Sequence, residues 1–91
     1  MAIGIYFAPE SMSLAQYDDV IGRLNAAGQG TPAGRSYHVA FEGPGGLHVF
    51  DVWDSQEAFD AFGQTLMPIL GELGVDPGPP MISPVKAEIR G

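Results

Sequence analysis

Apolar residues come in short runs along this chain, and glycine and proline separate the runs. "AIGIYFA", Ala2 to Ala8, is rich in Ile and aromatic side chains and stops at Pro9, so it reads as a buried strand. In "SLAQYDDVIGRLNAAG" the spacing changes: Leu14, Tyr17, Val20 or Ile21, and Leu24 recur at helical intervals. Ser13 and Gln16 stand at capping-box spacing, and Gly28 suits a left-handed C-terminal cap. "SYHVAFE" and "LHVFDVW" are two strands around Gly43-Pro44-Gly45-Gly46, where Pro then Gly favours a type II turn. A second helix is predicted over "DSQEAFDAFGQTLMPILGELG", capped by Asp54 with Glu57 and striped by Phe59, Phe62, Leu66, Ile69 and Leu73. Pro68 should kink or break it, having no amide to donate. "VDPGPP" is a stiff connector, and "MISPVKAEIR" is a last strand whose Pro84 argues for a sheet edge.

The order strand, helix, strand, strand, helix, strand is the split ferredoxin-like arrangement. The predicted fold is α+β: one ferredoxin-like βαββαβ domain over residues 1–91, with a four-stranded antiparallel sheet and two helices on one face. Within that sheet the first and third strands are expected in the middle and parallel to each other, with the second and fourth strands at the edges. The uncovered face stays apolar and calls for a cover, which a second copy of the chain would supply.

Composition narrows the chemistry. A chain of 91 residues has a thin stability margin, which favours association. With no cysteine there is no disulfide, thiolate metal site or cysteine nucleophile. The net charge of −7, with four basic residues, disfavours nucleic acid and anionic membrane as partners. No leader or apolar span stands out at the start, so a cytoplasmic protein is expected.

The candidate chemistry lies in the hairpin. Centring its turn on Pro44-Gly45 sets His38 opposite Asp51 and Ser36 opposite Trp53, whereas a one-residue bulge would set His38 opposite Val52 and send Asp51 to the other face. Ser36, His38, Ala40, Val49, Asp51 and Trp53 then share one face, and Tyr37, Val39, Phe41, His48, Phe50 and Val52 share the other. An imidazole held by a carboxylate is the usual build of a general base, with His38 as base, Asp51 as its orienter and Trp53 as a wall. The bland alternative is a structural His–Asp contact. In this register His38 and His48 face opposite ways, so they share no metal ion, and no metal or other cofactor is expected. Tyr6, Tyr37, Phe59 and Phe62 could wall an apolar ligand pocket, core packing being the competing role for each. "GQGTPAGR" leads into a strand, not a helix, which argues against a phosphate cradle. Arg35 at its end is read as a solvated charge, with a ligand carboxylate as the other partner open to it.

The element pattern over nearly the whole chain, with "SYHVAF" and "VFDVWDSQEAFDAFGQTLMPIL" as its most telling stretches, resembles the dimeric α/β-barrel superfamily of antibiotic-biosynthesis monooxygenase-like proteins. The resemblance implies two ferredoxin-like subunits paired through their sheets as a homodimer. It also implies a cofactor-independent monooxygenase or proton-transfer enzyme acting on an aromatic or polyketide-like molecule. Some oxygenase relatives carry an Asn on the first strand; here the only Asn is Asn25, in the first helix. The alternatives are a non-catalytic small-molecule-binding or stress-associated dimer, and a purely structural module.

Overall fold

A computed structural model describes residues 2–9 and 12–89. The elements follow the predicted order: β1 (Ile3–Phe7), α1 (Leu14–Ala26), β2 (Arg35–Gly43), β3 (Gly46–Trp53), α2 (Gln56–Glu72) and β4 (Met81–Pro84). The sheet order is β2-β3-β1-β4, so β1 and β3 are central and β2 and β4 are edges.

The central pair runs antiparallel, correcting the parallel expectation. The tight Pro44-Gly45 turn reverses β3 against β2, while the α1 crossover returns β2 in the direction of β1. A strand between them must therefore oppose both.

Ser13 caps α1 with both arms of the capping box in place, its Oγ accepting from the Gln16 amide at 3.1 Å and the Ser13 amide donating to Gln16 Oε1 at 2.8 Å. Gly28 follows at φ 77°, a left-handed position that suits glycine. The second cap lies one residue beyond the expected Asp54: Ser55 is the N-cap, and its hydroxyl accepts from the Ala58 amide at 3.1 Å. Helix α2 runs through Pro68 to Glu72 unbroken. Pro68 is exposed, so the carbonyl it leaves without an amide partner can turn to water. The last strand is shorter than expected, ending at Pro84; Arg90 lies outside the described residues.

Both helices pack on one sheet face. Ile5 and Trp53 are fully buried there, with Val20 and Leu24 from α1, Phe62 and Leu70 from α2, and Val75 just beyond it. The opposite face carries Tyr37, Phe41 and Met81, each about half exposed or more.

Candidate active site

Four residues cross the sheet in one rung: His38 pairs with Asp51, Asp51 with Ile5, and Ile5 with Ile82. Paired residues share a face, and fully buried Ile5 shows that this rung faces the helices. The predicted turn centre holds, with Gly43 opposite Gly46 and Gly45 at φ 83° as a type II turn requires. It is this turn that delivers His38 and Asp51 to one spot.

Asp51 is 4% exposed, and such burial is costly for a carboxylate without partners. Both of its oxygens are engaged. His38 Nδ1 lies 2.5 Å from Oδ1, and the Trp53 indole N–H donates to Oδ2 at 3.3 Å. On the other side of the ring, His38 Nε2 lies 2.7 Å from the hydroxyl of Tyr17 on α1. With the carboxylate as acceptor, Nδ1 carries the proton and Nε2 accepts from the phenol. The two rings lie nearly parallel, 5° apart in plane. The result is a continuous chain, Tyr17–His38–Asp51–Trp53, linking α1 to two strands.

Burial raises the Tyr17 phenol above its ordinary range, and the charge of Asp51 adds to this. Arg35 pulls the other way, and Asp18 pushes up again. Tyr17 therefore stays protonated at neutral pH and acts as a donor.

This chain opens on an apolar cavity of about 70 Å³ between the helices and the sheet. Phe7, Val20, Leu24, Val49, Phe62 and Leu66 form its walls, and Tyr17, Arg35, His38 and Asp51 supply its polar groups. Its volume is well below the ~300–1,000 Å³ of pockets for drug-sized ligands. The space is on the scale of a monocyclic molecule.

The expected site residues divide. His38 and Asp51 meet at the cavity. Trp53 lies behind it, packed against Phe59 and Phe62 at ring separations of 5.6 and 5.1 Å, and holds Asp51 instead of walling the space. Of the four aromatics proposed for the pocket, Phe62 lines this cavity and Phe59 lines a neighbouring groove with Phe7 and Met67. Tyr6 and Tyr37 are on the opposite sheet face, because strand alternation turns them away from their neighbours Ile5 and His38. There Tyr6 donates its hydroxyl proton to His48 Nδ1, and His48 Nε2 donates to the Pro44 carbonyl at 3.0 Å. His38 and His48 face opposite sides of the sheet. Among the described residues no group of three or more His, Asp or Glu is placed to hold a metal ion.

Sequence reasoning missed Tyr17, which fits the apolar stripe of α1 and reads there as core. Its signal was the one hydroxyl in that stripe. The Ser36–Trp53 pairing is also corrected. The register slips between Arg35 and Tyr37, so Arg35 pairs with Trp53 and Ser36 is the extra residue of a bulge, its hydroxyl donating to the Val52 carbonyl at 3.4 Å.

No family model matches the chain, and no curated protein matches it in sequence. Solved structures do match in fold. A candidate antibiotic biosynthesis monooxygenase from Chloroflexus aurantiacus J-10-fl aligns over 100% of both chains at 18% identity, with a TM-score of 0.66. Another from Deinococcus radiodurans aligns over 99% of this chain and 97% of its own at 15% identity, TM-score 0.61. A protein of unknown function from Nitrosomonas europaea covers 99% of this chain and 93% of its own at 16% identity, TM-score 0.55.

Proposed function

Starting from the ferredoxin-like fold that this chain shares with antibiotic-biosynthesis-monooxygenase-like structures, we propose that the protein is a proton-transfer catalyst, in its fullest form a cofactor-independent monooxygenase, acting on a small aromatic or polyketide-like molecule. The hydrogen-bonded chain Tyr17–His38–Asp51–Trp53 at the edge of an apolar cavity carries this reading.

Asp51 fixes the tautomer that leaves His38 Nε2 as an acceptor, and it stabilises the imidazolium formed when that nitrogen gains a proton. Trp53 holds the carboxylate in place. A substrate proton reaches Nε2 once the Tyr17 hydroxyl rotates aside, or it passes through that hydroxyl. The apolar walls keep water from quenching the resulting anion. In the monooxygenase form an electron-rich carbanion would itself reduce dioxygen, a CH2 group and O2 giving C=O and water, so no added reductant is needed.

The test pairs oxygen uptake with deuterium incorporation, measured by mass spectrometry on a panel of phenolic and dihydroxyaromatic carbon acids without added cofactor. The expected result is exchange or uptake that His38→Asn abolishes while the far-UV spectrum and a single cooperative unfolding transition are kept. Activity surviving in His38→Asn would overturn the assignment.

Occupancy of Nε2 by Tyr17 favours a second reading, non-catalytic binding in the same cavity. That reading expects ligand binding without exchange, unchanged in His38→Asn.

Assembly belongs to the same proposal. The sheet face away from the helices is apolar and open at Tyr37, Phe41 and Met81, and a second copy would cover it. No helix is long and apolar enough to cross a membrane among the described residues, and the acidic charge disfavours nucleic acid. A cytoplasmic location is part of this proposal.

A further inference from the structure

Strand alternation would put Arg35 on the same side as Tyr37, against the open sheet face. The bulge at Ser36 reverses this: Arg35 pairs with Trp53 and its side chain lines the cavity on the helix side. Bulges re-aim a side chain at the cost of a ladder pairing. Here the side chain re-aimed is a cation.

The surroundings of that cation are unusual for this chain, which holds eleven acidic residues against four basic ones. Arg23, on the surface of α1, takes two carboxylates, Asp19 at 3.3 Å and Glu72 at 2.8 Å. Arg35 is half-buried and has no carboxylate in ion-pair range among the described residues. Its contact is one Nη2–H donated to the Gly30 carbonyl at 3.1 Å, which uses one of five donors. Asp51 lines the same cavity, but its two oxygens are committed to His38 and Trp53. The charge of Arg35 reaches the Tyr17 hydroxyl, where it opposes the field of Asp51. A guanidinium beside an apolar cavity, with its fork unfilled, matches a planar anion.

We propose that Arg35 is the anion-recognising residue of this cavity, and that the ligand is a small apolar molecule bearing a carboxylate, its body packed against Val20, Leu24 and Phe62. This rests on reading the cavity as the ligand site of the function proposed above, but it does not require the proton transfer. A carboxylate on Arg35 orients the apolar body toward His38 and Tyr17. It also selects against neutral analogues of the same shape.

Benzoate and its neutral isostere benzamide are suitable probes. Their affinities are measured by calorimetry, and amide NMR shifts locate where each binds. The intact protein should bind benzoate about tenfold or more tightly than benzamide, as a charge-assisted fork contact implies, with shifts centred on Arg35, His38 and Val49. Arg35→Gln keeps amide donors for Gly30 but loses the charge, and should bring benzoate down to the benzamide level. Arg35→Lys should keep part of the preference. Equal binding of the two probes, shifts away from the cavity, or a preference surviving in Arg35→Gln with the fold intact would each overturn the proposal. If no turnover is ever found but the preference holds, the catalytic reading fails and this one stands.

Discussion

The hydroxyl of Tyr17 lies 2.7 Å from Nε2 of His38, closing from helix α1 a hydrogen-bond chain that begins on two strands. The contact joins residues 21 positions apart and ties α1 to the sheet at the His38–Asp51 rung. It also means that the Nε2 of His38 is already engaged by the phenol.

Tyr17→Phe removes that hydroxyl and leaves Nε2 without its donor, so unfolding by urea should show a loss of about 1 kcal/mol. The phenol also predicts a pH effect. Its pKa is raised in the folded protein, chiefly by burial and then by Asp51, so the folded state holds this proton more tightly than the unfolded chain. The stability it contributes is fully present below the ordinary tyrosine value of about 10. It is lost as pH rises through the raised folded value. Ultraviolet titration of phenolate should show one late-ionising tyrosine, absent in Tyr17→Phe, with stability falling over the same alkaline window.

Asp51→Ala should be the most damaging of the single changes at the site. It leaves the His38 Nδ1–H and the Trp53 indole N–H without their acceptor beneath the helices. Two charge-assisted bonds to a buried carboxylate predict a loss of about 2–4 kcal/mol, readable as a lowered denaturant midpoint. Asp51→Asn keeps one acceptor oxygen and should fall between it and the wild type.

Gly34 stands at φ 90°, where an L side chain is strained, and a Cβ there would come within 2.6 Å of the Ala58 side chain on α2. Its carbonyl also accepts from the Asp54 amide at 2.7 Å, ahead of α2. Gly34→Ala should cost about 1–3 kcal/mol. Because Arg35 is the next residue, the same change should weaken benzoate binding more than benzamide binding.

Phe41→Glu places a charge on the open sheet face, away from the cavity. If a second copy covers this face, light scattering after size exclusion should show the dimer lost, because a buried unpaired carboxylate is costly. The NMR shifts of His38 and Asp51 should stay in place. An unchanged mass would mean that this face is not the contact between copies.

Local chemistry in the chain specified much of this arrangement. The Pro44-Gly45 turn sets the hairpin register, and register alone puts His38 opposite Asp51. Spacing of Val20, Leu24 and Phe62 marks the buried faces of both helices, and Ser13 marks where the first begins. These features depend on residues within a turn or two of one another, so a reader of the sequence can work them out. The central pair is antiparallel against the parallel expectation, because the hairpin and the crossover together fix the direction of each strand.

Three things were decided only in three dimensions. Whether the Tyr17 hydroxyl would meet His38 depends on how α1 crosses the sheet, and a tyrosine in an apolar stripe looks like core until then. The bulge at Ser36 that turns Arg35 inward is a single-residue slip that side-chain periodicity does not encode. The separation of Tyr6 and Tyr37 from Phe62 comes from strand parity, which assigns side chains to faces but does not say which face the helices will cover. The sequence determined the elements and the His38–Asp51 pairing between two of them, since turn and helix signals are local. Packing of distant segments determined what surrounds that rung, because burial free energy is gained only when those segments meet.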